Sequence, residues 1–164
     1  MAPRTFTALG TDVALTRYVG TDSSVELDSA DSWHGVDLAV VPATRGRRRP
    51  SADATDLGAV EGRANLGQAL ILRLLTPRGS LAPLGHPGYG SRLVELIGRE
   101  NDETARNLAR LYTLQAVREE PRVAELLDLS VATTEERADT IRIEFSVRPV
   151  GDDDPLSLGL EVAL

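Results

Sequence analysis

Two stretches near the C-terminal end of the chain alternate cleanly between apolar and polar residues. Ile141, Ile143, Phe145 and Val147 are spaced by Arg142, Glu144 and Ser146; Leu156, Leu158, Leu160 and Val162 are spaced by Ser157, Gly159 and Glu161. Successive side chains of a strand point to opposite faces, so each stretch predicts a strand with one buried and one wet face. Gly151-Asp152-Asp153-Asp154-Pro155 reads as the polar turn between them. A less regular strand is predicted from Val123 to Val131.

Upstream, the period changes. Residues 65–75 are apolar on most faces, which predicts a buried helix with Asn65 as its N-cap. Pro77 ends it, because a residue before proline is pushed towards extended geometry. A Gly/Pro-rich loop, Pro83 to Gly90, leads to a short helix predicted over 91–97, with Leu93, Leu96 and Ile97 inward and Gly98 as its stop. A longer helix opens at Asn101 or Asp102 and runs to about Glu119. Ala105, Leu108, Ala109, Tyr112 and Ala116 mark its inner face, which Leu111, Leu114 and Val117 widen, and Pro121 terminates it.

Residues 1–44 are mixed. Val13 and Leu15 alternate with polar neighbours, residues 36–41 read as a short strand, and a Ser/Asp-rich stretch lies between them. This predicts a strand pair or an extended arm, followed by a linker over 45–60 and a core domain over 61–164. Helices first and strands second give an α+β fold: three helices packed on a small, mostly antiparallel sheet, with an N-terminal extended arm.

Composition narrows the chemistry. The 164 residues are 41% hydrophobic, enough for one domain with a core, and the formal charge of -7 argues against binding DNA or an anionic membrane. The run Arg47-Arg48-Arg49 sits in this acidic context without interleaved aromatics, so it reads as a solvated loop or a contact with an acidic neighbour. There is no cysteine, and the histidines are His34 and His86 alone, so neither a metal site nor a cofactor is expected. The longest apolar run, Ala69 to Leu75, is broken by Arg73 and is too short to span a bilayer. The start of the chain lacks the pattern of a secretory signal, so assembly in the cytoplasm is expected.

Catalytic patterns are weak. A glycosidase needs two carboxylates roughly 5 to 10 Å apart, one with a raised pKa. Glu95, Glu103, Glu119 and Glu120 qualify by type, but Glu119 and Glu120 adjoin at a helix end and would point apart. Gly85-His86-Pro87-Gly88-Tyr89-Gly90 lacks the Lys-Ser/Thr ending of a phosphate loop. No motif links His86 to a serine or an acid, and Trp33-His34 reads as a packing anchor or an arm contact. No catalytic residue is expected.

Three stretches carry a resemblance: Gly62, Asn65-Leu66, Gln68-Ala69-Leu70, Arg73-Leu74 and Thr76-Pro77-Arg78-Gly79; then His86-Pro87-Gly88-Tyr89-Gly90-Ser91-Arg92-Leu93; then Glu119-Glu120-Pro121-Arg122-Val123. In this order residues 56–164 resemble the phage baseplate wedge family known as protein W, which also occurs in tail-derived injection systems. Two features depart from it: residues 1–55 exceed what compact members carry, and Gly88 stands where an acidic residue is common.

The resemblance implies a structural wedge subunit of a phage tail-like particle, present in multiple copies in a six-fold assembly. Its partners would be the sheath protein, other baseplate wedge proteins and tube or hub proteins. Glu120, Pro121 and Arg122 would form the wedge contact. The strands bearing Ile143, Phe145, Leu158 and Leu160 would face the sheath, with a free sheet edge completed by a neighbouring chain. Arg73, Tyr89 and Arg92 would organise the core and its loops. Two other readings are a peptidoglycan-lytic, lysozyme-like enzyme and an assembly adaptor absent from the mature particle.

Overall fold

The first helix, α1 (Gly62–Leu75), is bounded by residues that cannot continue it. Glu61 is extended on one side, and Thr76, before Pro77, is extended on the other (ψ 126°). The computed structural model describes residues 9–15, 24–26, 38–42, 55–135 and 137–164. Trp33, His34 and the run Arg47–Arg49 lie outside them. Helix α1 begins three residues before Asn65, so Asn65 is not its cap. Leu66, Leu70, Ile71 and Leu74 form its buried side.

The second helix, α2 (Glu103–Arg118), starts as its sequence predicts: Asp102 is the N-cap, and its side chain accepts from the Ala105 N–H at 2.7 Å. Ala105, Ala109, Tyr112, Ala116 and Val117 are buried, whereas Leu111 is exposed.

The expectation of three helices on one small sheet is overturned. Among the described residues there are two α-helices; the third predicted helix is a single 3-10 turn, Leu93–Leu96, stopped by an extended Ile97. One turn fixes several dihedrals for very few hydrogen bonds, so it does not propagate into an α-helix. Leu93 and Leu96 point inward, but Ile97 is 63% exposed.

The strands form three sheets, not one. The largest has the order β2-β8-β7-β6, with β2 (Ser24–Glu26), β6 (Val123–Thr133), β7 (Thr140–Pro149) and β8 (Leu156–Ala163). Strand β7 is antiparallel to β6 and β8, while β2 runs parallel to β8. The register between β6 and β7 slips twice, between Val123 and Glu125 and between Leu126 and Asp128. The predicted alternation is realised: Ile141, Ile143, Phe145, Val147, Leu156, Leu158 and Leu160 join α1 and α2 in one core.

The two smaller sheets are antiparallel pairs. Strand β1 (Thr11–Val13) pairs with β5 (Ala59–Glu61), and β3 (Val40–Pro42) pairs with β4 (Thr55–Leu57). They meet where Ala14, Ala39 and Gly58 exchange backbone hydrogen bonds of 2.7 to 2.9 Å. Strand β4 thus falls within the stretch read as a linker, and β5 straddles its boundary with the core domain.

Candidate partner-docking site

The Glu-Pro-Arg corner follows directly from the end of α2. Pro121 cannot extend the helix, and β6 begins two residues later. The turn sends the adjacent carboxylates apart. Glu119 stays at the surface and receives two bonds from Arg78, each 2.8 Å. Glu120 turns inward, is 4% exposed, and accepts from Arg122 Nε at 2.6 Å and Arg73 Nη2 at 3.2 Å. Arg73 in turn lies 4.5 Å from the Tyr89 ring centroid, and Arg92 lies 4.6 Å from that of Tyr112. Arg73 is thus held inside the molecule, whereas Arg92 stacks on Tyr112 from the surface.

The electrostatics keep the carboxylates charged. Burial pushes the Glu120 carboxyl up, but the hydrogen bond and charge of Arg122, with the charge of Arg73, outweigh it and hold the group below its ordinary value. The hydrogen bond from Arg78 lowers Glu119, and that from Arg92 lowers Glu95.

A second constellation was missed by sequence reasoning. The Gln68 side chain donates to the Val13 carbonyl at 2.9 Å and accepts from the Leu15 N–H at 3.0 Å, as a neighbouring strand would. One turn earlier on α1, Asn65 donates to the Leu9 carbonyl at 2.8 Å, and Arg122 Nη1 reaches the same oxygen at 3.2 Å. Helix α1 and the corner therefore clamp the backbone of the chain's own N-terminal segment, whatever its side chains. A signal was available: two amides at i and i+3 inside a run apolar on most faces need buried partners. Arg63 likewise ties the start of α1 to the turn between β7 and β8, bonding Asp152 and the carbonyls of Asp154 and Pro155.

The predicted docking residues separate into two groups. Glu120 and Arg122 come together at the corner, with Arg122 spent on Glu120 and Leu9. Ile143, Phe145, Leu158 and Leu160 all lie in the core, each no more than 3% exposed. What their strands can offer another chain is therefore backbone, not these side chains. Strand β7 is paired on both sides, so the open positions are on the outer edges. Along β8, β2 pairs with Ser157, Leu158 and Gly159, and among the described residues no strand covers it further on. There the edge borders an apolar hollow of about 420 Å³, walled by Leu75, Pro77, Val94, Ile97, Leu160 and Val162 among others.

No family model matches the chain, and no curated protein matches it. Among solved structures, it is similar to a protein of Geobacter sulfurreducens described as a candidate tail lysozyme. The TM-score is 0.51 and the identity 20%, over 60% of this chain and 86% of the other. The likeness is one of fold.

Proposed function

We propose that the chain is a structural component of a phage tail-like particle: a baseplate wedge subunit that joins wedge proteins to the tube and nucleates the sheath. The observation that carries this reading is the outer edge of β8. It is regular, largely unpaired beyond Gly159 among the described residues, and flanked by an apolar hollow. Free N–H and C=O groups on such an edge accept an extended strand from another chain, and an adjoining pocket gives that strand its specificity. The fold shared with a protein described as a candidate tail lysozyme supports tail association. The ordered motifs from Gly62 to Val123 support the wedge role within it.

The opposite edge is less suited. Strand β6 carries two register irregularities and the acidic Glu125 and Asp128 along its exposed length. Bulges and charges on an edge oppose pairing.

The test uses residues exposed in the monomer. Val94 and Ile97 are 44% and 63% exposed at the hollow, so the double variant Val94→Lys/Ile97→Lys should keep the melting curve of the wild type. It should abolish sheath-bearing particles. Normal particle yield and sheath length from this variant would overturn the reading.

A second reading, peptidoglycan hydrolysis, is favoured by the description of the structural neighbour. A general acid must hold its proton near neutral pH, yet Glu95, Glu119 and Glu120 are all shifted the other way by arginine partners. Turnover in a peptidoglycan-release assay, lost in Glu95→Gln or Glu103→Gln, would establish this second reading.

A further inference from the structure

We propose that the outer face of α2 is a docking seam for a helix of a partner protein, one whose apolar stripe is flanked by carboxylates. This surface lies apart from the edge of β8, because α2 packs chiefly against β6, at the other side of the sheet. Helix docking at α2 and strand docking at β8 can therefore fail independently.

Three observations carry it. The first is spacing. Ala105, Ala109, Tyr112 and Ala116 are buried, and on the opposite side of the helix Asn107, Leu111, Leu114 and Arg118 follow one another at steps of four, three and four residues. That is the a/d spacing by which one helix packs along another. Leu111 is 45% exposed there, and Leu114 is half-buried. The second is charge. Residues 104–118 hold three arginines and no acidic residue, in a chain of formal charge -7. Among the described residues Arg63, Arg78, Arg92 and Arg148 each pair with a carboxylate, whereas Arg106, Arg110 and Arg118 do not. The third is that the helix alone gains little from this arrangement. Arg106 and Arg110 stand at i and i+4, a like-charge spacing that destabilises an isolated helix. Arg106 also lies in the first turn, where the helix dipole disfavours a cation. A row of carboxylates on a partner helix offsets both costs while its apolar stripe covers Leu111 and Leu114. A second copy of the stripe would bring arginines and no carboxylate. Nucleic acid fits poorly, because the stripe exposes no aromatic ring and the chain is acidic.

The probes are two synthetic amphipathic helices with leucine at every a and d position. One carries glutamate and the other lysine at the flanking positions, and like charges keep each from pairing with itself. Nonspecific attraction to this acidic chain would favour the lysine helix. Instead, fluorescence anisotropy at low salt should show the glutamate helix bound about ten-fold more tightly, with the affinity falling as salt is added. Arg110→Glu/Arg118→Glu should reverse the preference, and Leu111→Asn should weaken the glutamate helix about ten-fold. All three side chains are exposed, so both variants should keep the melting curve of the wild type. Equal affinity for the two helices, a preference of the wild type for the lysine helix, or binding unchanged in Leu111→Asn would overturn the proposal. So would tighter binding of single-stranded DNA, which would assign the stripe to nucleic acid. Self-association of the wild type that is lost in Leu111→Asn would overturn it too, by assigning the stripe to a second copy.

Discussion

Asn65 on α1 and Arg122 after α2 donate to the same atom, the carbonyl oxygen of Leu9, at 2.8 and 3.2 Å. Two residues from separate stretches of the resemblance motifs thus converge on the chain's own N-terminal segment. Their role in the monomer is to hold that backbone, and the corner is a joint inside the molecule before it is a surface for anything else.

This changes what a charge reversal at the corner reports. Arg122→Glu removes a donor to Leu9 and sets a second carboxylate beside the buried Glu120. Glu120 is buried but the Arg122 side chain is 25% exposed, so losing this charge-assisted bond costs about 2 kcal/mol. The variant should unfold at markedly lower denaturant concentration than wild type. Loss of particles in Arg122→Glu would therefore report on folding; an unchanged denaturation midpoint would show that the corner does not stabilise the monomer.

Glu120→Gln should also cost about 3 kcal/mol at neutral pH, because Arg73 stays buried without a charged partner. The pH dependence has a definite sign. The folded-state pKa of Glu120 is lowered, so its contribution is fully present above its unfolded value, about 4.5, and is lost as pH falls through the lower folded value. The stability difference between wild type and Glu120→Gln should shrink in that acid range. A difference that stays constant from neutral pH down to pH 3 would contradict the assignment.

Gln68→Leu keeps the volume and apolar fit of α1 but strips both bonds to the N-terminal strand. Each net hydrogen bond is worth about 1 kcal/mol, so the loss should be about 2 kcal/mol. Hydrogen exchange at the Leu15 amide should accelerate well beyond that of amides in β7. Unchanged protection at Leu15 would mean that other contacts hold the segment.

Gly90 has φ +102°, and a Cβ there would lie 2.5 Å from the Thr76 carbonyl oxygen. Gly90→Ala should cost at least about 2 kcal/mol from strain alone, before the clash. Gly85, at φ +87°, has open space around its would-be Cβ, so Gly85→Ala should cost less, about 1 kcal/mol. Thermal melts of the two variants compare them directly, and equal shifts would count against the close approach.

The parts of the fold that were legible are those with several cycles of a pattern. Strands β7 and β8 are long enough for repeated alternation, and α2 is bracketed by Asp102 and Pro121. Strands β1 and β3 overlap the alternation at Val13 and the strand read over 36–41, but the three-residue β4 and β5 offer too little pattern to stand out from the linker reading, and their pairing depends on distant backbone. The 3-10 turn Leu93–Leu96 has the apolar spacing of a helix but too few residues to become one. At the site, the charges of the corner were visible and their partners were not. Whether Glu120 faces solvent or Arg73 is decided by the direction of the chain at Pro121, which spacing does not encode. Polar residues inside an apolar run were the overlooked clue: Asn65, Gln68 and Arg73 are all buried, and each binds something specific.

The central claim is that β8 presents its edge to another protein in a tail-like particle. Cryo-electron microscopy of particles purified from the source tests it most directly. The account predicts this chain at the base of the sheath, with an extended segment of another protein along β8 beyond Gly159 and seated over Val94 and Ile97. Particles without the chain, or with no segment of another protein along β8, would contradict it.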